Sequence, residues 1–294
     1  MTTHISTLSS EQIAENTEEL ISAIKMHDFD EFERLLPLSK PTLDSYGAGG
    51  WAVKTGQMRM LEALLKVCPI AEGVESLLFN CVMEGRVDFL KHLLPYTDRS
   101  KDQQLLHSLL VRASLFRKID CAKILIPLVD PNADDGSALV RAVVNKDVSM
   151  FDLLFPYYHH HPENSRALVA AAGNGCIDFV RQLIAVCDPA FNYSEALRIA
   201  VMRGYHDLVK LLIPVSDVTA CGSEALALAL MQNDTETAEM LYPHSDLKVA
   251  LHTLQTIDPT QVWEDLEQRI AQQQQQTLLQ EISHNPTTVK IRKI

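Results

Sequence analysis

Basic residues are in short supply: 26 lysines and arginines stand against 38 aspartates and glutamates, for a formal charge of -12. That balance argues against nucleic acid as a partner, because affinity for a phosphate backbone rests on a basic footprint. No stretch approaches the ~18 apolar residues that a membrane span needs. The N-terminus, MTTHISTLSSEQIAEN, lacks the basic start and apolar core of a secretory leader. The expectation is a cytoplasmic chain without a membrane span, with export by a route that uses no cleaved leader still open. Cysteine is sparse as well. The six at positions 68, 81, 121, 176, 187 and 221 form no C-x-x-C pair and no cluster with histidine at ligand spacing, so they read as reduced thiols.

The motifs of common chemistries are also absent. There is no glycine-rich phosphate loop, no H-E-x-x-H, no G-x-S-x-G and no paired-carboxylate signature. A nucleophilic thiol needs a nearby base or a helix N-terminus to lower its pKa, and no cysteine has either in sequence. The triplet His159, His160, His161 is contiguous, whereas ligands that converge on one ion are usually spaced along one face, so it reads as a solvated loop. These absences lead to the expectation of no enzyme, no cofactor and no bound metal.

What the chain does have is a ruler. Leu35, Leu64, Leu93, Leu125, Leu154, Leu183, Leu212 and Leu241 recur every 29 residues, with one interval of 32. A period of this length marks a supersecondary unit that cannot bury its apolar face alone and stacks on copies of itself. The reading is therefore one row of about eight units spanning 18–246, not two globules.

Counting back from the reference leucine, the twelfth residue is small in every copy: Ala23, Ala52, Cys81, Ala113, Ala142, Ala171, Ala200 and Ala229. The fifteenth is Leu20, Leu78, Leu110, Leu139, Leu168, Leu197 or Leu226, with Gly49 as the exception. Residues three apart share a helix face, so these slots form the buried stripe of a first helix. Eight before the reference stand His27, Gly56, Gly85, Arg117, Lys146, Gly175, Gly204 and Asn233, a set rich in residues that tolerate the left-handed backbone ending a helix. A second helix of about nine residues follows, as in DFLKHLL and DLVKLLI. It is closed two residues after the reference by proline in six copies (37, 95, 127, 156, 214 and 243), which cannot continue the hydrogen-bond ladder. A loop with Asp98, Asp130, Asp188, Asp217 or Asp246 then returns the chain, and the extra three residues fall in the loop DRSKDQQ.

Two stretches, LVAAAGNGCIDFVRQLI and LRIAVMRGYHDLVKLLI, resemble the ankyrin repeat, with its Leu-x-x-Ala, its glycine and acidic residue, and its Val-x-x-Leu-Leu run. The copies are shorter than the ~33 residues of that family. The missing residues fall mainly in the loop that forms the family's β-hairpin finger, and the family's Thr-Pro is replaced by pairs such as Glu195-Ala196. The resemblance covers roughly four fifths of the chain and implies an all-α, ankyrin-like solenoid of helix-turn-helix units with little or no β-hairpin. It also implies a scaffold that binds another protein, and is closest to shortened arrays of bacterial type, including effectors that act in host cells.

The flanks should cover the open ends of the row. Residues 1–17 read as an N-terminal cap, where Ser9 and Gln12 have the form of a capping box and predict a short helix ahead of the first copy. Residues 247–284 read as a helical C-terminal cap, with Val262, Leu266 and Ile270 as the apolar stripe of its long last helix. The basic tail 285–294 reads as mobile.

The binding surface is sought on the first helices. Positions thirteen and nine before the reference lie four apart and off the buried stripe, forming a ladder that varies between copies. It runs Ser22 and Met26, Trp51 and Thr55, Asn80 and Glu84, Arg112 and Phe116, Arg141 and Asn145, Ala170 and Asn174, Ile199 and Arg203, Leu228 and Gln232. The partner-binding set drawn from it is Trp51, Thr55, Asn80, Glu84, Arg112, Phe116, Arg141, Asn145, Asn174 and Arg203. Trp, Phe and Arg are the types that dominate interface energetics. A shift of one position would instead bury Trp51, Phe116, Ile199 and Leu228 against the neighbouring helix. The resulting expectation is a monomeric protein-binding scaffold, either an effector in a host cytosol or an adaptor or immunity-type inhibitor in its own cell. A third reading makes it the substrate-selecting part of an enzyme, against which stands the short segment after Asp246, too small for a catalytic domain.

Overall fold

The computed structural model describes residues 8–70, 73–158, 165–253, 268 and 271–272. The chain divides into two compact units, Met1–His159 and His160–Ile294. All regular elements among the described residues are helical. In the first unit they are α1 (Ser10–Met26), α2 (Phe29–Leu35), α3 (Ala48–Thr55), α4 (Met58–Leu65), α5 (Val74–Glu84), α6 (Val87–Leu93), α7 (Gln103–Leu115), α8 (Ile119–Leu125), α9 (Ala133–Val144) and α10 (Val148–Leu154). The second unit holds α11 (Arg166–Gly173), α12 (Ile177–Leu183), α13 (Phe191–Met202), α14 (His206–Leu212), α15 (Ala220–Met231), α16 (Thr235–Leu241) and α17 (Leu247–Thr253).

Odd-numbered helices are the first helices of the copies, and even-numbered ones the second. Every residue eight before a reference leucine has a positive φ, from Lys146 at 53° to Gly56 at 79°, so each first helix ends in a left-handed residue. Asparagine, histidine, arginine and lysine hold this conformation as glycine does, at a steric cost that glycine avoids. The second helices are seven residues long in most copies, shorter than the nine expected. Each of the six prolines lies in a three-residue 3-10 turn that ends the second helix, from Leu36–Leu38 to Tyr242–His244.

The slots of the buried stripe hold. Leu20, Leu78, Leu110, Leu168, Leu197 and Leu226 are fully buried, and so are Ala52, Cys81, Ala113, Ala142, Ala171, Ala200 and Ala229 beside them. Such small residues let neighbouring first helices approach closely. Eleven before the reference, where other copies bury apolar side chains such as Val82 and Val143, copy four has Ser114. Its hydroxyl donates to the Ala138 carbonyl of the next copy at 2.7 Å, which satisfies a buried polar group. Within each unit neighbouring first helices pack on one another more extensively than neighbouring second helices do.

Two boundaries differ from the sequence reading. The Ser9–Gln12 capping box is present in both directions, yet the helix it opens runs unbroken to Met26. Residues 10–17 therefore lengthen the first helix of copy one and make no separate helix. The other difference lies at the start of the first helices. In α9 and α13 three consecutive residues, Asp134 to Gly136 and Asn192 to Ser194, are left-handed, with φ between 47° and 63°. Cys221 and Ser223 repeat the conformation in α15. This left-handed turn stands where a hairpin finger would have been. At the C-terminal end, α17 packs on α15 as the first of the two expected capping helices. The stripe Val262, Leu266, Ile270, the tail and the triplet His159 to His161 lie outside the described residues.

Candidate binding surface

On each first helix, the positions thirteen, ten and nine before the reference share the face opposite the buried stripe. Of the sequence-derived set, Trp51 is half-buried and lies between two ammonium groups, with Lys25 Nζ 4.1 Å and Lys54 Nζ 5.0 Å from its ring centroid. Arg112 is exposed and stacks its guanidinium 4.3 Å from the Phe79 ring centroid. Arg141, Glu84 and Arg203 are exposed, and Phe116 is 38% exposed at the end of α7. Ile199 and Leu228 are half-buried.

Four members of that set, and Gln232 beside them on the ladder, are buried or bonded within the fold. Asn80 is buried, at 2% exposure. The Asn145 amide donates to the carbonyls of Leu115 at 2.8 Å and Ser114 at 3.2 Å, thereby capping the C-terminal end of the first helix one copy earlier. Gln232 does the same for the Met202 carbonyl at 2.9 Å. Thr55 and Asn174 each donate to a carbonyl of their own helix, Trp51 and Ala170, at 2.8 Å. The ninth-before slot thus bonds backbone carbonyls in four of its eight copies, which leaves Trp51, Glu84, Arg112, Phe116, Arg141 and Arg203 to face a partner.

The sequence reading passed over the tenth-before slot. It holds Lys25, Lys54, Met83, Leu115 and Val144 in the first unit, where Met83, Leu115 and Val144 are 38%, 41% and 44% exposed. In the second unit Met202 and Met231 occupy it at 51% and 49% exposed. The signal was available in the period itself: an apolar residue returning at a slot off the buried stripe.

A second slot that was passed over lies eighteen before the reference. Ser165, Ser194 and Ser223 occupy it and are buried, and each hydroxyl accepts the amide of the loop aspartate in its own copy, Asp188, Asp217 and Asp246, at 2.9 Å. Thr17 accepts the Lys40 amide at 3.1 Å in the same pair of slots. These bonds clasp the start of a copy to its end and so fix the pitch at which the next first helix begins.

Electrostatics at the surface are modest. The Thr42 hydroxyl, donating at 2.6 Å, is the main cause that holds the Asp44 carboxyl below the usual carboxylate range, against some desolvation and with help from the amides of Tyr46 and Gly47. Burial raises the Asp234 carboxyl, but the Thr237 hydroxyl and amide and the His206 ring outweigh it and leave a net lowering. Burial pushes the thiols of Cys68, Cys81 and Cys121 up, away from the thiolate form that a nucleophile needs. All six cysteines are free thiols. Among the described residues no three His, Cys, Asp or Glu side chains converge as metal ligands, and no helix is long and apolar enough to cross a membrane.

Residues 168–251 match the family model of ankyrin repeats in three copies. No curated protein matches the chain. The matched segment runs from α11 to α17 and contains the same slots, left-handed helix ends and packing that the first unit shows over α1 to α10. Residues 168–251 are thus similar to ankyrin repeats, and helix pairs at the same 29-residue period are present in both units.

Proposed function

We propose that this chain is a non-enzymatic interaction scaffold that holds another protein against the inner face of its first helices. Ankyrin repeats generally mediate protein–protein interaction, and the family is generally non-catalytic. The observation that carries the reading is the row of bulky and basic side chains, exposed Arg112, Leu115, Phe116, Arg141 and Val144 with half-buried Trp51, on helices whose opposite face is fully committed to the core. Such large side chains left open to water on one face are what an interface core uses. The six free thiols support a reducing compartment, and the chain acts there as a monomer. The specific version is an effector in a host cytosol, supported by the shortened 29-residue copy.

Crosslinking mass spectrometry on pull-downs from host lysate and from lysate of the producing cell tests the reading. Crosslinks should map to α3, α5, α7 and α9, and the triple variant Trp51→Ala, Arg112→Ala, Arg141→Ala should lose the partner while keeping its helical circular dichroism. A partner retained by the triple variant, or crosslinked only to second helices, rejects this surface.

A further inference from the structure

The inner face of the first unit has a charge unlike that of the chain as a whole. Its thirteenth-before and tenth-before slots contain Lys25, Lys54, Arg112 and Arg141 and no aspartate or glutamate, in a sequence with 38 acidic residues against 26 basic ones. The nearest acidic ladder member is Glu84, one slot further along. The same two slots of the second unit, Ala170, Gly173, Ile199, Met202, Leu228 and Met231, carry no charge at all. The basic character therefore belongs to the first unit and is not a property of the repeat.

Geometry joins the two slots into one row. The tenth-before residue of one copy meets the thirteenth-before residue of the next, as Lys25 meets Trp51 across 4.1 Å. In the sequence register Met83 and Arg112, and likewise Leu115 and Arg141, occupy the same two slots of successive copies, so that apolar and guanidinium side chains alternate along the ladder toward Val144. None of the four cations is in an ion pair among the described residues. Lys25, Lys54 and Arg112 rest on aromatic rings, which orients them without neutralising them.

Resting on the scaffold reading above, we propose that the partner presents an acidic segment with interspersed bulky apolar side chains, and that this row of the first unit binds it. Carboxylates of such a segment would take charge-assisted, fork-shaped hydrogen bonds from Arg112 and Arg141. Its apolar side chains would cover Met83, Leu115 and Val144, removing them from water. The excess negative charge elsewhere on the chain repels an acidic ligand, and at ~0.1 M salt that repulsion fades beyond ~10 Å while contacts within the row persist. The row is thus the place on the molecule where such a segment settles.

Fluorescence anisotropy on the full chain at ~0.1 M salt tests this with three short labelled peptides of equal length: glutamate with leucine, lysine with leucine, and glutamate with serine. The glutamate–leucine peptide should bind at least ~10-fold more tightly than either of the others. Arg112→Glu with Arg141→Glu should weaken it ~10-fold or more, while Lys91→Glu with Lys123→Glu on the second helices should change it less than ~2-fold. If the charge reversal disturbs the helical circular dichroism, Arg112→Gln with Arg141→Gln must give a loss in the same direction. Equal binding of the lysine peptide, or acidic binding that survives both arginine pairs, overturns the proposal. Should crosslinks place a natural partner on α5 to α9 through a neutral or basic segment, the acidic assignment falls and the scaffold reading stands. If no partner maps to the first helices and the glutamate–leucine peptide fails too, both fall.

Discussion

Buried hydroxyls set the pitch of the copies. Ser194 sits at the end of a left-handed turn, fully enclosed, and its hydroxyl accepts the Asp217 amide across 23 residues of chain. Replacing it with alanine deletes the acceptor and leaves a half-buried amide without a partner, which costs about 1–3 kcal/mol. Ser194→Ala should therefore lower the urea midpoint with the slope unchanged. Threonine at the same position keeps the acceptor, and a Ser194→Thr variant that falls as far as the alanine one would show that side-chain volume, not the hydrogen bond, is what matters there. The slot was legible as a serine repeated at 29 residues in three copies, but its role was not. A hydroxyl accepting from an amide 23 residues away leaves no periodic trace beyond its own identity.

Helix ends carry a different lesson. Four of the eight left-handed terminators are not glycine, and Lys146 is one, with φ at 53° and an exposed side chain. Holding an L-residue in that region costs about 1–2 kcal/mol, offset in part by the lower chain entropy that lysine has when unfolded. Lys146→Gly should raise the thermal midpoint, as glycine already serves at Gly85 and Gly175 in the same slot. A lower midpoint would mean that the lysine makes an interaction outweighing its strain. The sequence placed these ends correctly because glycine and asparagine outnumber the rest of the slot. It also placed the buried stripe, since leucine and alanine three residues apart admit one helix face. It did not foresee the left-handed turns opening α9, α13 and α15, whose earlier residues, Asp134, Tyr193 and Cys221 among them, share no composition. Nor did it separate the ninth-before slot, where Asn145 and Gln232 cap neighbouring helix ends, from the tenth-before slot, where Leu115 and Val144 stay exposed. A helical wheel fixes a face to within one residue and says nothing of which carbonyls lie in front of it.

At the scale of a whole unit, stability has to come from the neighbours. Helices of seven residues do not hold in water alone, because nucleation costs more than so few hydrogen bonds return. The inner pairs of the first unit are each sealed by the pairs on their two sides, and Leu93, fully buried in the third of five copies, belongs to one such seal. Leu93→Ala removes that packing and costs about 2–5 kcal/mol, depending on how far the site collapses. In a row held by nearest-neighbour contacts the loss spreads in a graded way. Amide hydrogen exchange in the variant should quicken most in α5 and α6, clearly in α3, α4, α7 and α8, and least in α1 and α2. Acceleration confined to α5 and α6 would mean that the copies stand independently, and equal acceleration from α1 to α10 would mean that the unit opens only as a whole. The graded pattern is also what a binding row along α3 to α9 requires, since a partner laid across several copies is stabilised only if each copy holds the next in register.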